Sequence, residues 1–183
     1  AVLATIGVVK LTTAPPRIVR SSLLPPEHTQ YQPNSGAMVL SPDGLRIAFV
    51  ARGDDGKQML WVRALDALTA QPLAGTEDAS HPFWSPDSRF LGFFSSGKLR
   101  KIDANGGPPQ ALCDVTGGRG GTWSAGGTIL FTPSPTDVIY KVSAAGGAPV
   151  AVTEFDAKNG ETSHRFPAFL PDGVHFLFLV EAR

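Results

Sequence analysis

Apolar runs of four to eight residues recur along the chain, separated by clusters of Gly, Pro, Asp and Ser, the pattern of partly buried strands joined by tight turns. One kind of punctuation repeats. A bulky apolar residue (Leu40, Trp84, Trp123 or Phe169) precedes a four-residue turn, and a further apolar run follows it. The turns are Ser41-Pro42-Asp43-Gly44, Ser85-Pro86-Asp87-Ser88, Ser124-Ala125-Gly126-Gly127 and Leu170-Pro171-Asp172-Gly173. Their first residues lie 44, 39 and 46 positions apart, a period in the range of propeller blades. Pro presets φ near −65°, Asp can bond the backbone two residues on, and Gly accepts the positive φ that leads into the next strand.

Each repeat reads as four short strands. In the first, residues 37–40 precede the turn, then come residues 45–50, residues 59–65 and a short segment near Pro72-Leu73. The second repeat runs through Pro82-Phe83-Trp84, residues 90–94, residues 99–103 and residues 110–112, and the third through residues 121–123, 129–131, 138–142 and 150–152. Gly106-Gly107 and Gly146-Gly147, 40 positions apart, mark the turn between the third and fourth strands. The fourth repeat holds residues 166–169 and 174–180, two strands of a blade. The expectation is an all-β chain forming a partial β-propeller of four-stranded antiparallel blades, about three and a half of them. Such an array leaves open strand edges, satisfied by a longer parent protein or by copies of the chain, with the first expected over the second.

Ahead of the repeats, the apolar residues 1–9 are too few to cross a bilayer, where about 20 are needed. Residues 1–16 are therefore expected to be an apolar tail and linker and residues 17–183 the repeats. Residues 17–24 alternate weakly, as a spare strand would, and the polar, turn-rich residues 27–35 read as a loop. Lys+Arg and Asp+Glu both number 16 with no run of like charge, which argues against nucleic acid or an anionic membrane surface as partner. The single cysteine, Cys113, cannot form an internal disulfide, and no Cys/His grouping has metal-ligand spacing; no cofactor or metal is expected.

The repeat unit of aromatic, Ser-Pro-Asp-Gly turn, apolar strand, strand ending in Asp (Leu65-Asp66, Ile102-Asp103) and Gly-Gly turn resembles the TolB-like, WD40-like β-propeller repeat. More narrowly, Leu60-Trp61-Val62-Arg63-Ala64-Leu65-Asp66, Gly118-Arg119-Gly120-Gly121-Thr122-Trp123 and Glu161-Thr162-Ser163-His164-Arg165-Phe166-Pro167 resemble the propeller segment that follows the kinase domain and membrane helix of many bacterial serine/threonine protein kinases. The resemblance spans residues 17–183. It departs at Ser88 for the turn Gly, Ala125-Gly126 for Pro-Asp, and Leu170 for Ser. It implies a non-catalytic sensor or protein-interaction segment of a larger bacterial protein, on the extracytoplasmic side if kinase-linked, with residues 1–9 as the tail of the parent's membrane helix. The Gly-rich loop, Val-Ala-Ile-Lys strand and His-Arg-Asp loop of a kinase are absent from this sequence. The alternatives are a fragment of a kinase- or peptidase-linked enzyme, and a self-assembling propeller fragment.

Five positions before each turn lie Gly36, Ser80, Arg119 and Arg165, so two arginines begin the innermost strand at equivalent places. The first strand of a blade lines the central channel. Arg119, Arg165, His164, Glu161 and His81 are thus expected near the channel mouth, where guanidinium groups could hold a carboxylate or phosphate of a small anion or protein. The competing reading is that each arginine bonds neighbouring loop carbonyls or carboxylates such as Asp78 and Glu161. His28 and His175 have no ligand spacing, and no Gly-x-Ser-x-Gly elbow occurs. The recurrent aromatics, Trp84 and Trp123 with Phe83, Phe93, Phe94, Phe131, Phe169, Phe176 and Phe178, are expected in the packing between blades.

Overall fold

A computed structural model describes residues 22–183. The tail at 1–16 and most of the spare strand at 17–24 lie outside the described residues; Ser22–Leu24 are not in a strand.

Four antiparallel sheets follow one another as blades. Blade 1 contains β1 (Thr29–Tyr31), β2 (Val39–Leu40), β3 (Arg46–Gly53), β4 (Gln58–Ala64) and β5 (Gln71–Pro72). Blade 2 contains β6 (Ser80–Trp84), β7 (Phe90–Ser95), β8 (Lys98–Asp103) and β9 (Gln110–Asp114). Blade 3 contains β10 (Gly121–Trp123), β11 (Thr128–Phe131), β12 (Tyr140–Ser143) and β13 (Val150–Ala151), and blade 4 contains β14 (Glu161–Phe169) and β15 (Phe176–Ala182). Neighbouring strands in each blade are consecutive in sequence, apart from a split inner position in blade 1. There β1 pairs with Ala51–Gly53 and β2 with Ile47 and Ala48, on the same edge of β3. Residues 27–35, expected as a loop, therefore include a strand and a 3-10 turn at Pro33–Ser35. Polar Thr29 and Gln30 conceal the strand in sequence; the ladder to β3 forms because the edge of a long buried strand offers its backbone groups a partner.

All four turns close alike. Gly44, Ser88, Gly127 and Gly173 donate their N–H to the carbonyl three residues back, at 2.8, 2.9, 3.0 and 2.9 Å. In the first two, the Ser hydroxyl also donates to the Asp carboxylate at 2.5 Å and accepts the N–H that opens the next strand (Arg46 at 2.9 Å, Phe90 at 2.8 Å). These serine bonds, together with a backbone N–H bond, hold the Asp43 and Asp87 carboxyls below their ordinary pKa. Where Leu170 replaces Ser, Asp172 takes over the role and accepts from the N–H groups of Val174 and His175, both at 2.9 Å. Ser88 adopts φ 60° in place of glycine, and its hydroxyl accepts the Asp43 N–H of the preceding turn at 3.1 Å, tying blade 2 to blade 1. Ser85→Ala removes a buried hydroxyl with two partners, and chemical denaturation should show a loss of about 1–2 kcal/mol. No shift in the midpoint would mean that the turn closes through its backbone alone.

The core lies between blades. Ala48, Val50, Leu60 and Val62 of blade 1 pack against Trp84, Leu91, Phe93 and Ile102 of blade 2. Phe83, Phe94 and Leu99 of blade 2 pack against Ile129, Phe131 and Val142 of blade 3, with Trp123 partly buried beside them. This is the arrangement expected of the aromatics at 83, 84, 93, 94, 123 and 131. Phe169, Phe176 and Phe178 of blade 4 are only half-buried, and blade 4 has two strands among the described residues.

Candidate functional site

The inner strands of three blades carry the same irregularity four residues before the turn. His81, Gly120 and Phe166 have φ of 48°, 84° and 53°, and the ladders slip between Ser80 and Phe83 and between Arg165 and Ala168. Such bulges kink a strand and re-aim one side chain. Here they bring His81 and Phe166 together around the centre of the array, with ring centroids 6.1 Å apart. Asn34, Gly36, His81, Gly120, Phe166 and Pro167 are among the lining residues of a crevice of about 440 Å³ to which all four blades contribute. The glycines permit the close approach: a Cβ on Gly36 would sit 2.7 Å from His81 Cα, and one on Gly120 3.0 Å from Phe166 Cα. Phe166 is 47% exposed, an aromatic ring left open on the floor of a concave site.

His81 combines a left-handed backbone with an Nδ1 that is buried and has no hydrogen-bond partner. Burial, with a smaller effect from the Arg119 charge, pushes its pKa below 6.5, so the imidazole is neutral at pH 7. The sign follows from linkage: the unfolded chain takes up this proton first as pH falls, so acidification through 6.5 towards the lower folded pKa destabilises the protein. Melting temperature should thus fall from pH 7.5 to 5.5, and His81→Asn, which tolerates the backbone, should flatten that fall. An unchanged pH profile in the variant would remove His81 from the account.

The other four residues expected at the channel mouth, Arg119, Arg165, His164 and Glu161, are not among those lining this crevice. Arg119 directs Nη1 to the carbonyls of Gly118 (3.1 Å) and Gly117 (3.4 Å) and borders a small recess with Asp78 and Ser80. Arg165 donates to the Pro135 carbonyl through Nε (3.2 Å) and Nη2 (2.7 Å) and to Ser163 Oγ (2.8 Å), and it pairs with Glu181 at 2.7 Å. The two arginines thus hold separate internal partners. His164 is 2% exposed, with its ring between Phe155 and Phe178 at 5.1 and 4.7 Å. Its Nδ1 meets Thr153 Oγ1 at 2.8 Å and its Nε2 meets Glu161 Oε2 at 3.0 Å. Thr153 Oγ1 also accepts the Ile139 N–H at 2.9 Å, and Glu161 Oε2 the Asp156 N–H at 2.7 Å. Those donors, the backbone first and the imidazole second, hold the Glu161 pKa down. With Thr132 Oγ1 donating to the His164 carbonyl at 2.9 Å, His164 ties blade 4 to blade 3.

His81 and Arg119 are thus neighbours, as are His164 and Glu161, while Arg165 turns to Pro135 and Glu181. Sequence reasoning missed Phe166, which it assigned to the strand run alone. The available signal was positional: Phe166 stands four residues before its turn, in phase with His81 and Gly120. No group of His, Cys, Asp and Glu fit to hold a metal occurs among the described residues.

No protein-family model and no curated protein matches the sequence. Solved structures do match, and the fold is that of TolB-type and WD40-type β-propellers. The chain is similar to a TolB-type protein from Agrobacterium tumefaciens (20% identity, TM-score 0.68), the match covering 78% of this chain and 53% of that one. It is also similar to TolB from Acinetobacter baumannii (15% identity, TM-score 0.64), over 78% of this chain and 36% of that one. A third similar structure is the β-propeller domain of Cps50 (Swd1) from Myceliophteria thermophila, at 16% identity and TM-score 0.57, over 83% of this chain and 51% of that one. The chain spans about a third to a half of these proteins.

Proposed function

We propose that this chain is a non-catalytic binding module, a propeller segment of a larger bacterial protein that holds a partner protein at its central crevice. The observation that carries this reading is the crevice itself, where an exposed aromatic ring, proline and glycine walls and the His81 imidazole meet. Concave, mainly apolar surfaces with a few placed polar groups are the usual form of a ligand site. Phe166 provides apolar area, His81 a ring wall and Asn34 an amide; together they fit an extended peptide that inserts an apolar side chain. Arg119, close enough to lower the His81 pKa, adds positive charge on that side and favours a peptide or small ligand carrying a carboxylate. The resemblance of the segments around Trp61, Arg119 and His164 to kinase-linked propellers supports a sensor role outside the cytoplasm, downstream of a membrane helix.

The test is selection of binders from a random twelve-residue peptide library on the purified chain. Selected peptides should be apolar-centred, and Phe166→Asp and His81→Ala should each weaken them at least tenfold while Arg63→Ala, far from the crevice, does not. Peptides that bind all three variants equally would place recognition elsewhere.

A further inference from the structure

The turns at 41–44, 85–88 and 124–127 stand at the other end of the inner strands from the crevice. Between blades 1 and 2 the space beside them is filled from within. The Arg46 guanidinium lies 5.2 Å from the centre of the Trp84 ring, donates to the Ser88 carbonyl and reaches Asn105 Oδ1 at 3.5 Å. The Trp84 Nε1 is spent on the Val39 carbonyl at 3.0 Å, and Ser88 Oγ holds the Asp43 N–H at 3.1 Å.

Between blades 2 and 3 each of these closing groups is replaced. The Phe90 N–H donates to Ser85 Oγ as the Arg46 N–H does to Ser41 Oγ, so a phenyl ring takes the place of the guanidinium. Gly127 closes its turn with the same backbone bond as Ser88 but has no hydroxyl to hold the Asp87 N–H. Ala145 stands ahead of its Gly-Gly turn where Asn105 stands ahead of the other. An open groove of about 460 Å³ results, with Pro86, Phe90, Trp123, Ala125 and Ala144 among its lining residues. Phe90 and Trp123, both partly exposed, stack with centroids 6.3 Å and planes 27° apart. Unlike that of Trp84, the Trp123 Nε1 has no acceptor among the described residues.

Charge at the rim favours one sign of partner. The Arg89 guanidinium and the Lys101 ammonium lie 5.2 and 5.5 Å from the centre of the Phe90 ring. The nearby carboxylate of Asp87 is already engaged by Ser85 Oγ at 2.5 Å and the Arg89 N–H at 3.1 Å. We propose that this groove docks a proline-rich segment of a partner protein that carries an acidic residue beside its prolines. A polyproline II segment has no internal hydrogen bonds, so its carbonyls are free to accept from the Trp123 indole N–H. Its pyrrolidine rings pack on paired aromatic side chains such as Phe90 and Trp123, the usual floor of a groove for such segments. The neighbouring carboxylate then meets Arg89 and Lys101. A helix or a paired strand, with its carbonyls spent on its own backbone, leaves the indole donor unused. This groove and the crevice share no lining residue, so neither reading depends on the other.

The experiment titrates the full chain, residues 1–183, with a synthetic decapeptide of repeated Pro-Pro-Glu units, followed by calorimetry and by the indole N–H signals of Trp61, Trp84 and Trp123 in NMR spectra. Saturable binding with a Kd below about 0.5 mM is expected, with the Trp123 signal displaced and the Trp84 signal unmoved. Matching peptides of Pro-Pro-Lys and of Ala-Ala-Glu units should each bind at least about fivefold more weakly. Trp123→Phe keeps a ring and removes the donor, and should weaken the Pro-Pro-Glu peptide about five- to tenfold. Phe90→Arg installs the side chain that fills the space between blades 1 and 2, and should abolish binding with a melting temperature within a few degrees of the parent. Arg63→Ala, on blade 1, should bind as the parent does. Absence of saturable binding up to about 2 mM overturns the proposal. So does equal binding of the three peptides, unchanged binding in either groove variant, or displacement of the Trp84 signal in place of Trp123. If Phe90→Arg does not fold, Trp123→Phe decides. Peptides selected on the crevice should bind Trp123→Phe unchanged, which separates failure here from failure of the crevice reading.

Discussion

Trp84→Ala should lower the stability of the chain by about 3–5 kcal/mol, the range for removing a large buried aromatic. The indole is 7% exposed and joins blade 1 to blade 2 in three ways. It packs among Val50, Leu60, Val62 and Phe93, its Nε1 donates to the Val39 carbonyl at 3.0 Å, and the Arg46 guanidinium stacks 5.2 Å from its centre. The Arg46 position is itself held by the Ser88 carbonyl in the second turn, so the ring, the cation and the turn form one joint. Urea unfolding followed by circular dichroism measures the loss, and the melting temperature should fall by roughly 10 °C. Trp84→Phe, which keeps much of the apolar area and removes the donor, should cost less than half as much. A loss under about 1 kcal/mol for the alanine variant would mean that blades 1 and 2 are joined by other contacts.

Gly92→Leu is the second large effect, in the opposite sense of packing. A Cβ at Gly92 would press on Phe83 Cζ, and one at Gly121 of the next blade would lie 2.5 Å from Phe83 Cε1. The Phe83 ring, 6% exposed, therefore fills a slot between two glycines on adjacent blades. Overfilling such a slot typically costs about 1–3 kcal/mol, and leucine at this site should reach the upper end. Blade 4 explains why the cost is local: Leu177 occupies the corresponding position there at 63% exposure, with no ring seated against it. Phe83→Leu should recover part of the loss in the double variant, with a coupling of about 0.5–3 kcal/mol in the cycle. Strict additivity would show that the ring and residue 92 do not share the slot.

Much of the fold was legible because the repeat is written in local chemistry. The turns need particular residues at particular places, so their spacing counts the blades. The aromatic residues before and after each turn mark strands buried between sheets. The strand at Thr29–Tyr31 was hidden because its side chains are polar; only the free edge of β3 recruits it. The left-handed Ser88 looked like an imperfect glycine, and its purpose is visible only against the neighbouring turn. Of the candidate site, repeat phase singled out the positions five residues before each turn. It could not distinguish Arg165, bound to Pro135 and Glu181, from Phe166, one residue later and open to the crevice. That difference arises from a bulge, which shifts side-chain direction by one residue and leaves no periodic trace.

By itself, the sequence determined the all-β architecture and the succession of antiparallel blades, because turn geometry and apolar alternation are properties of short segments. Tertiary structure alone decided which arginine donors are spent internally, that His164 is a tie between blades, and that His81 and Phe166 face one another. Several such outcomes depend on groups 30 or more residues apart meeting within a few ångströms, as Arg165 does with Pro135 and Ser88 with Asp43. Short-range pattern carries no record of such meetings, since the geometry of the stacked blades creates them.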